Sequence, residues 1–376
     1  MFILADDLTG AADTGVAFAA RGMRTVLQMG LRDPLAATAV TVVSSNSRDV
    51  PVDVAIARVQ ASLTQASSPV YKKIDSVFRG HVAAELVATM EMLDIDRALV
   101  APAFPAQGRI TQNGQQFVHG QPVPVSLIDD LRARTILPMR IIELRTNQVD
   151  TDGLRAALDL PGIVIADAET DEHLDQIADI GQQAGLGIWC GSAGLAHALA
   201  RRMHPQVVAR PLVPDAPTLI VVGSYHNKTR QQLAHLHAHG CLEVALSADL
   251  HDIVRQCVAQ LMLSQSVALV RPDAAFDSRQ SAIIAHIFGQ VTRQILATSP
   301  ILPKLLLTGG DTALAVCAAL EATAIELCCE LEPGVPLGRL VGGTADGGWV
   351  ITKSGGFGDN ETLWRVISTP NHPLLV

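Results

Sequence analysis

Short apolar runs alternate with amphipathic stretches along this chain, which is the pattern of an α/β protein. In the first half of the sequence, the apolar runs predict six β-strands, at Met1–Ala5, Val40–Val43, Val70–Ile74, Ala98–Ala101, Gly162–Ala166 and Gly187–Cys190. Stretches with helical periodicity are interspersed among them, at Gly10–Ala20, Val52–Leu63, Val82–Leu93, Asp171–Gln183 and Ala193–Arg202. The first half is therefore predicted to form one open, mostly parallel sheet with helices packed on it.

A proline-rich segment interrupts this pattern around residues 204–217 and is typical of a linker between domains. A second α/β pattern follows, with strands predicted at Thr218–Val222, Leu242–Leu246, Val267–Val270, Lys304–Leu307, Ile325–Cys328 and Trp349–Lys353. Helices are predicted at Lys228–His239, Ala248–Ser264, Ser278–Ala297 and Thr312–Leu320. The sequence thus predicts two α/β domains, residues 1–204 and 218–376, each an open and mostly parallel sheet, with a ligand cleft between them.

Composition narrows the class of protein. Hydrophobic residues make up 48% of the 376 positions and aromatic residues only 3%, so the cores must be built from Ala, Val, Leu and Ile, as in parallel sheets flanked by helices. The formal net charge of −9 argues against a nucleic-acid surface. No apolar stretch has the length of a membrane span and no basic leader follows Met1, so we expect no membrane association and a cytoplasmic protein. The six cysteines form no CxxC pair and are expected to be buried thiols.

Polar side chains gather where the predicted strands of the first half end. In open parallel sheets, ligands bind at the carboxyl ends of the strands. The polar side chains at these ends are Asp6, Asp7, Arg48, Lys73, Asp75, Ser76, Arg79 and Arg109. A pair of acids at one strand end, with bases at three others, predicts a pocket for a small anion that carries hydroxyl groups. Each residue also has a structural interpretation, as a helix cap for Asp6 and Asp7 and as an ion-pair partner for Lys73 and Arg79.

Glycines and hydroxyl groups replace the bases at the strand ends of the second half. Predicted strands lead into Gly223-Ser224, into Gly309-Gly310-Asp311-Thr312 and into Ser354-Gly355-Gly356. Phosphates bind to exposed backbone amides, ideally at a helix N-terminus, and three such loops in one domain indicate a nucleotide site. One Gly-Gly pair alone is weak support, since tight turns often need glycine. The sequence has neither GxxxxGK[ST] nor a well-placed GxGxxG, which argues against Walker-type NTPases and standard dinucleotide dehydrogenases.

Several of these runs resemble the four-carbon acid sugar kinases. The resemblance to the N-terminal domain of that family lies in Ala5-Asp6-Asp7-Leu8-Thr9-Gly10-Ala11, Lys73-Ile74-Asp75-Ser76 with Arg79-Gly80, and Ala101-Pro102-Ala103-Phe104-Pro105 with Gly108-Arg109. The resemblance to its C-terminal domain lies in Gly223-Ser224, Gly309-Gly310-Asp311-Thr312-Ala313 and Thr352-Lys353-Ser354-Gly355-Gly356-Phe357-Gly358. The motifs occur in order over nearly the whole chain, and as a set they are specific.

The resemblance implies an N-terminal domain that binds a sugar acid and a C-terminal domain that binds ATP, with the chemistry between them. It implies substrate contacts by Asp7, Arg48, Lys73, Asp75, Ser76, Arg79 and Arg109, with Asp7 or Asp75 as the catalytic base. It implies ATP contacts by Ser224, Gly309, Gly310, Asp311, Thr312, Lys353, Ser354, Gly355 and Gly356. Mg²⁺ is expected to bridge the phosphates, and Asp311 is either one of its ligands or a helix N-cap.

The resemblance also implies the reaction, which is transfer of phosphate from ATP to the terminal 4-hydroxyl of a four-carbon sugar acid. D-threonate, giving 4-phospho-D-threonate, is the first expectation, because Leu8, the run Asp13-Thr14-Gly15 and Asp311 look more like the threonate or erythronate branch. D-erythronate and a 3-oxo-tetronate are the alternatives, since Val77 and His81 depart from the family's pattern beside the pocket. A homodimer is compatible with the sequence.

Two other classes of protein compete with a kinase. A dehydrogenase or aldolase acting on a similar acid would use the glycine loops for a dinucleotide or a substrate phosphate, but the ribose-binding fingerprint and a metal-binding histidine cluster are both missing. A cytosolic sugar-acid sensor with two lobes and no catalysis would need no ATP. Nucleotide binding therefore distinguishes the sensor from the kinase.

Overall fold

The computed structural model describes residues 1–30, 38–204, 206–209, 211–213, 215–247, 249–271 and 281–368. The chain divides into two units, one of Met1–Val26 with Leu31–Val208 and one of Leu27–Gly30 with Ala209–Val376. Both units alternate strands and helices, so the predicted α/β class is confirmed. None of the helices in the described ranges is long and apolar enough to cross a membrane.

Strands and helices alternate through residues 1–208. The strands are β1 (Phe2–Ala5), β2 (Thr25–Gln28), β3 (Val40–Ser44), β4 (Val70–Lys73), β5 (Arg97–Ala101), β6 (Arg109–Gln112), β7 (Gln115–Val118), β8 (Gln121–Pro122), β9 (Met139–Ile142), β10 (Leu144–Arg145), β11 (Gln148–Val149), β12 (Gly162–Ala166) and β13 (Ile188–Gly191). The helices are α1 (Leu8–Ala19), α2 (Val52–Leu63), α3 (Val82–Leu93), α4 (Leu127–Arg132), α5 (Thr151–Leu158), α6 (Asp171–Gln183) and α7 (Ala193–Met203). All eleven elements predicted for this half are present.

The sheet of the first unit runs in the order β3-β1-β4-β13-β5-β12-β9, and every neighbouring pair is parallel. The four strands β1, β4, β12 and β13 are buried at every residue. This burial explains why β1, β12 and β13 are continuous apolar runs rather than alternating ones, whereas β4 ends in two buried lysines. Because β3, β1 and β4 are neighbours, the loops that follow their carboxyl ends meet at one edge of the sheet. A small antiparallel sheet, β6-β7-β8, was not predicted and follows the carboxyl end of β5.

The second unit repeats the α/β pattern through residues 209–368. Its strands are β14 (Thr218–Val222), β15 (Leu242–Ala245), β16 (Val267–Val270), β17 (Lys304–Thr308), β18 (Ala324–Glu332), β19 (Val335–Val341) and β20 (Trp349–Lys353). Its helices are α8 (Asn227–Ala238), α9 (Leu250–Met262), α10 (Ser281–Thr298), α11 (Gly310–Ala319) and α12 (Thr362–Ser368). Residue 248 and residues 278–280 of the predicted helices lie outside the described residues.

The sheet of the second unit runs in the order β15-β16-β14-β17-β20-β19-β18. The first five strands are parallel, and β19 pairs antiparallel with both β20 and β18. Strand β19 and helix α12 were not predicted, and β18 is longer than the predicted run Ile325–Cys328. Strand β19 follows β18 directly because a tight turn at Gly334, with φ +79°, joins the two strands into a hairpin without an intervening helix.

Candidate active site

Adjacent loops bring Arg48 beside the paired acids of the first unit. Ser45 donates from its hydroxyl to the carbonyl oxygen of Ala5 at 2.9 Å, and the Ser47 amide donates to the carbonyl oxygen of Asp6 at 3.0 Å. These bonds tie the loop after β3 to the loop after β1. The side chain of Arg48 therefore reaches across the carboxyl end of β1.

The guanidinium of Arg48 binds Asp6 and Asp7 together. Its Nε and Nη2 donate to the two carboxylate oxygens of Asp6 at 2.8 and 2.7 Å, and its Nη1 and Nη2 donate to those of Asp7 at 2.8 and 3.0 Å. Burial alone would raise the pKa of Asp6, but the charge and hydrogen bonds of Arg48, with Lys72 and Lys73, hold that pKa below its usual value. Four of the five N–H groups of Arg48 are thus engaged, and its main structural effect is to orient Asp7.

Asp7 is both a helix cap and the most accessible carboxylate of the cluster. Its Oδ1 accepts from the Gly10 amide at 2.9 Å, which makes it the N-cap of α1, and its Oδ2 accepts from the Thr9 hydroxyl at 2.8 Å. Its side chain is 17% exposed, against 4% for Asp6 and 6% for Asp75. The structural interpretation of Asp7 is confirmed, and each of its carboxylate oxygens accepts two hydrogen bonds while part of the side chain stays exposed.

Asp75 is held more tightly. Its Oδ1 accepts from the amides of Val77 and Arg79 at 3.0 and 3.2 Å, and its Oδ2 accepts from Arg79 Nε and Nη2 at 3.1 and 2.6 Å. Burial would raise the pKa of Asp75, but Arg79, Arg48 and Lys73 together hold it far below its usual range. The ion pair expected between Arg79 and the carboxylates of Asp6 and Asp7 forms instead with Asp75, and 55% of the Arg79 side chain stays exposed. Asp75 is therefore a weaker proton acceptor than its place in the cluster suggested.

Two consecutive lysines end β4 and lie on opposite sides of the sheet. Lys73 is buried beside Gly10 and donates from Nζ to the Ile74 carbonyl oxygen at 2.9 Å. Lys72 is fully buried and forms an ion pair with Glu85 of α3, with Nζ and Oε2 2.7 Å apart. The Lys72–Glu85 pair was missed by the sequence reasoning. The signal for it was a charged residue next to apolar residues on each of two buried elements.

The antiparallel sheet β6-β7-β8 positions Arg109 over the loop after β4. Arg109 donates from Nη1 to the Ser76 hydroxyl, so two of the predicted substrate residues are in contact. Gln116 of β7 is fully buried, donates from Nε2 to the Ser76 carbonyl oxygen at 2.9 Å and accepts from the Thr111 hydroxyl at 2.7 Å. Gln116 was also missed, because a glutamine in a polar stretch carries no distinctive pattern.

The glycine loops of the second unit come together as their strands do. Strand β17 lies between β14 and β20, with Thr308 in register with both Val222 and Lys353. A Cβ atom placed on Gly355 would lie 1.9 Å from the Ser224 hydroxyl oxygen, so these two loops touch through a position where only glycine fits. Thr229 of α8 joins them further by donating to the Gly355 carbonyl oxygen at 3.0 Å.

The N-terminus of α11 opens into this group of loops. Gly309 is the N-cap residue, with φ +93° and no side-chain cap, and its amide donates to the Lys353 carbonyl oxygen at 3.1 Å. The interpretation of Asp311 as the N-cap is therefore wrong, because the helix begins at Gly310 and Asp311 lies exposed in its first turn. Without a side-chain cap, the first amides of α11 are available to an anion. Thr312 is buried against Gly223 in the same turn.

Side chains from three elements fix the loop after β20. Gln232 of α8 is fully buried and donates to the carbonyl oxygens of Phe357 and Asp359 at 3.0 and 2.6 Å. Arg365 of α12 forms a two-point ion pair with Glu332, at 2.6 and 3.0 Å, and also binds the Asp359 carboxylate at 2.9 Å. These supporting residues were not predicted, since they come from elements far apart in the sequence.

Lys353 is a buried lysine of this unit. It ends β20, is fully buried and donates from Nζ to the Ser354 carbonyl oxygen at 3.0 Å. Burial, followed by the charge of Lys228, lowers its pKa to about 7 against the opposing effect of Glu332. Glycines, a helix N-terminus without a side-chain cap and a buried lysine together fit the phosphates of a nucleotide.

Two family models match consecutive parts of the chain. One family model, a sugar-binding N-terminal domain, matches residues 1–199, and another, a nucleotide-binding C-terminal domain, matches residues 219–363. The chain is 32% identical to the D-threonate kinase of Salmonella typhimurium over 96% of both chains. It is 29% identical to the D-erythronate kinase of Heliobacterium modesticaldum, over 96% of this chain and 94% of that one. It is 27% identical to the 3-oxo-tetronate kinase of Brucella melitensis, over 98% and 95%.

The fold has been observed before. A solved structure from Salmonella typhimurium LT2 superposes on the chain with a TM-score of 0.80, over 98% of each chain and at 22% identity. At this level of identity the likeness shows a shared fold.

Proposed function

Since the chain belongs to the family of four-carbon acid sugar kinases, we propose that it transfers the terminal phosphate of ATP to the 4-hydroxyl of D-threonate. D-erythronate and a 3-oxo-tetronate are the alternative acceptors. The relatives are kinases, which confirms the predicted phosphotransferase activity and removes the dehydrogenase, aldolase and sensor alternatives. In this proposal residues 1–204 bind the sugar acid and residues 218–376 bind the nucleotide.

The observation that carries the proposal is the state of Asp7, an accessible carboxylate fixed by Arg48 and by the first turn of α1. Such a group accepts the proton of the 4-hydroxyl while the hydroxyl oxygen attacks phosphorus, and ADP leaves. Positioned bases of this kind contribute about 100- to 10,000-fold to rate. Asp75 takes the supporting role, because it is more buried and because Arg79, Arg48 and Lys73 hold its pKa far below its usual range. In this proposal the main role of Arg48 is to orient Asp7, and Arg48 is not the only residue that holds the substrate.

The cations around Asp7 bind the acid end of the substrate. Arg79 has more than half of its side chain exposed, and Arg109 reaches the same loop through Ser76. With Lys73, these two residues supply the positive charge that a carboxylate and its neighbouring hydroxyls require. Holding the acid at one end fixes the distance to the terminal hydroxyl, so substrate length is selected.

In the second unit, the amides of α11 and of the loop after β20 hold the phosphates. Phosphoryl transfer depends on positioning and on neutralising charge, and a bound Mg²⁺ would supply part of that neutralisation. Asp311, exposed in the first turn of α11, is the candidate residue for holding that ion. The opposite side of the phosphate site is formed by the loop after β20, with Lys353, Ser354, Gly355 and Gly356.

The test is ADP release by the purified protein with ATP and Mg²⁺, across D- and L-threonate, D- and L-erythronate and the 3-oxo-tetronates. Asp7→Asn should lower kcat about 100- to 10,000-fold while nucleotide binding is unchanged. The fold should survive, because asparagine is also a good N-cap and Asp6 still pairs with Arg48. Asp152→Asn, at an exposed position in α5, is the matched control. Absence of turnover with every acid, or full activity of Asp7→Asn, would refute the proposal.

A further inference from the structure

Lys353 ends the strand that leads into one loop of the candidate phosphate site, and its side chain is closed off from solvent. It is the last residue of β20, and its backbone carbonyl oxygen accepts from the amide of Gly309 at 3.1 Å. The side chain is fully buried, and Nζ donates to the carbonyl oxygen of Ser354 at 3.0 Å. A charged lysine carries three N–H donors. In this position Lys353 therefore needs either further acceptors or the loss of one proton.

The charges that face Lys353 do not balance it. After burial, the charge of Lys228, from α8, also lowers the pKa of Lys353, and Glu332, from the end of β18, acts in the opposite direction. Glu332 is already paired at two points with Arg365 and accepts from the Thr362 hydroxyl at 2.9 Å. Among the described residues, no carboxylate lies within ion-pair distance of Lys353 Nζ. A buried ammonium without a partner is costly, so the neutral amine is favoured in the free protein.

We propose that Lys353 is a positioning residue for the nucleotide's phosphates, and that binding of the nucleotide draws a proton from solvent onto its amine. This inference rests on the proposed nucleotide site and adds a proton to the binding step. The phosphates supply the negative charge that Lys353 lacks, and the resulting ammonium holds the Ser354 loop and the anion together. The amine of Lys353 takes a proton from the buffer and becomes an ammonium. No other covalent bond forms or breaks.

The size of the effect follows from the state of the free side chain. With a pKa of about 7, Lys353 is about one tenth charged at pH 8 and about nine tenths charged at pH 6. An adjacent anion favours the charged form. Binding at pH 8 should therefore take up close to one proton, roughly 0.5–0.9 for each nucleotide, and binding at pH 6 roughly 0.1 or less.

The experiment is calorimetric titration of the full chain with Mg²⁺-ADP at pH 6, 7 and 8, each in two buffers with different enthalpies of ionisation. The dependence of the measured heat on buffer gives the number of protons taken up. We expect uptake at pH 8 that is lost in Lys353→Met and in Lys353→Arg. The arginine variant keeps a permanent charge and should bind without uptake, so the test holds even where the methionine variant does not fold.

Lys304→Met is the matched control. Lys304 begins β17, in the same sheet, and so lies at the opposite end of the strands from Lys353. Burial also lowers the pKa of Lys304. This variant should keep the uptake of the unmodified protein. Nucleotide binding with no buffer dependence at pH 8, or uptake that persists in Lys353→Arg, would overturn the inference while leaving the proposed function intact. No binding of Mg²⁺-ADP or Mg²⁺-ATP by the unmodified protein would instead refute the nucleotide site itself.

Discussion

Replacing Arg48 by methionine tests whether the charge cluster of the first unit is held together as the structure indicates. Methionine keeps an unbranched apolar side chain, and it removes the guanidinium that makes four hydrogen bonds to Asp6 and Asp7. Asp6 is then left 4% exposed in the native geometry without its two-point partner. Lys72 and Lys73 remain as the more distant cations.

The expected loss of stability is large, because one partner of a buried ion pair is removed and the other stays. Such changes cost about 3–5 kcal/mol, since the remaining charge is buried without compensation. For a unit of about 150–250 residues, this corresponds to a fall in Tm of roughly 6–20 °C.

The loss should also depend on pH, with a sign that follows from Asp6. In the unmodified protein the pKa of Asp6 is below its usual value, so its charged form adds stability at neutral pH that is lost as pH falls. In Arg48→Met the main opposing charge is gone while burial remains, and burial raises the pKa of Asp6. A protonated Asp6 needs no cation. The stability difference between the two proteins should therefore shrink as pH is lowered from 7.5 to 4.5.

The assay is urea denaturation at pH 7.5, 6.0 and 4.5, read by hydrogen exchange of amides in β1 and β4 so that the first unit is followed alone. Arg134→Met is the control, because Arg134 pairs with Asp130 at the surface and such pairs are worth at most about 1 kcal/mol. A loss below about 1 kcal/mol for Arg48→Met at pH 7.5 would refute the reasoning on burial. A difference that does not change with pH would refute the role of Asp6.

Two further changes test other parts of the structure. Lys72→Met should destabilise the first unit by about 3–5 kcal/mol, because Glu85 stays buried without its partner, and Lys72→Met with Glu85→Leu should recover most of that loss in the same denaturation assay. An equal loss in the single and double variants would contradict this. Gly223→Ala should weaken nucleotide binding at least about tenfold in calorimetry, since the new Cβ would lie 1.7 Å from the Thr312 hydroxyl oxygen in the first turn of α11. Unchanged affinity would show that this turn does not contact the nucleotide.

The sequence by itself determined the α/β class and the strands and helices that carry both candidate sites. It could do so because the central parallel strands are buried on both faces and appear as continuous apolar runs, such as β1 and β12. It did not predict β6-β7-β8 or the β18–β19 hairpin. In those segments pairing is antiparallel and set by turns, and polar residues such as Gln116 occupy buried positions.

For the sites, the sequence determined which kinds of side chain stand at the strand ends, since β1, β3 and β4 had to end at one edge of a parallel sheet. The tertiary structure decided the partners. Arg48 orients Asp7, Arg79 holds Asp75, and Lys353 is buried without an opposing carboxylate among the described residues. Charge pairing and pKa depend on separations of a few ångströms and on burial, and both are set by how the chain packs, as when Arg48 meets Asp7 across 41 positions of the sequence.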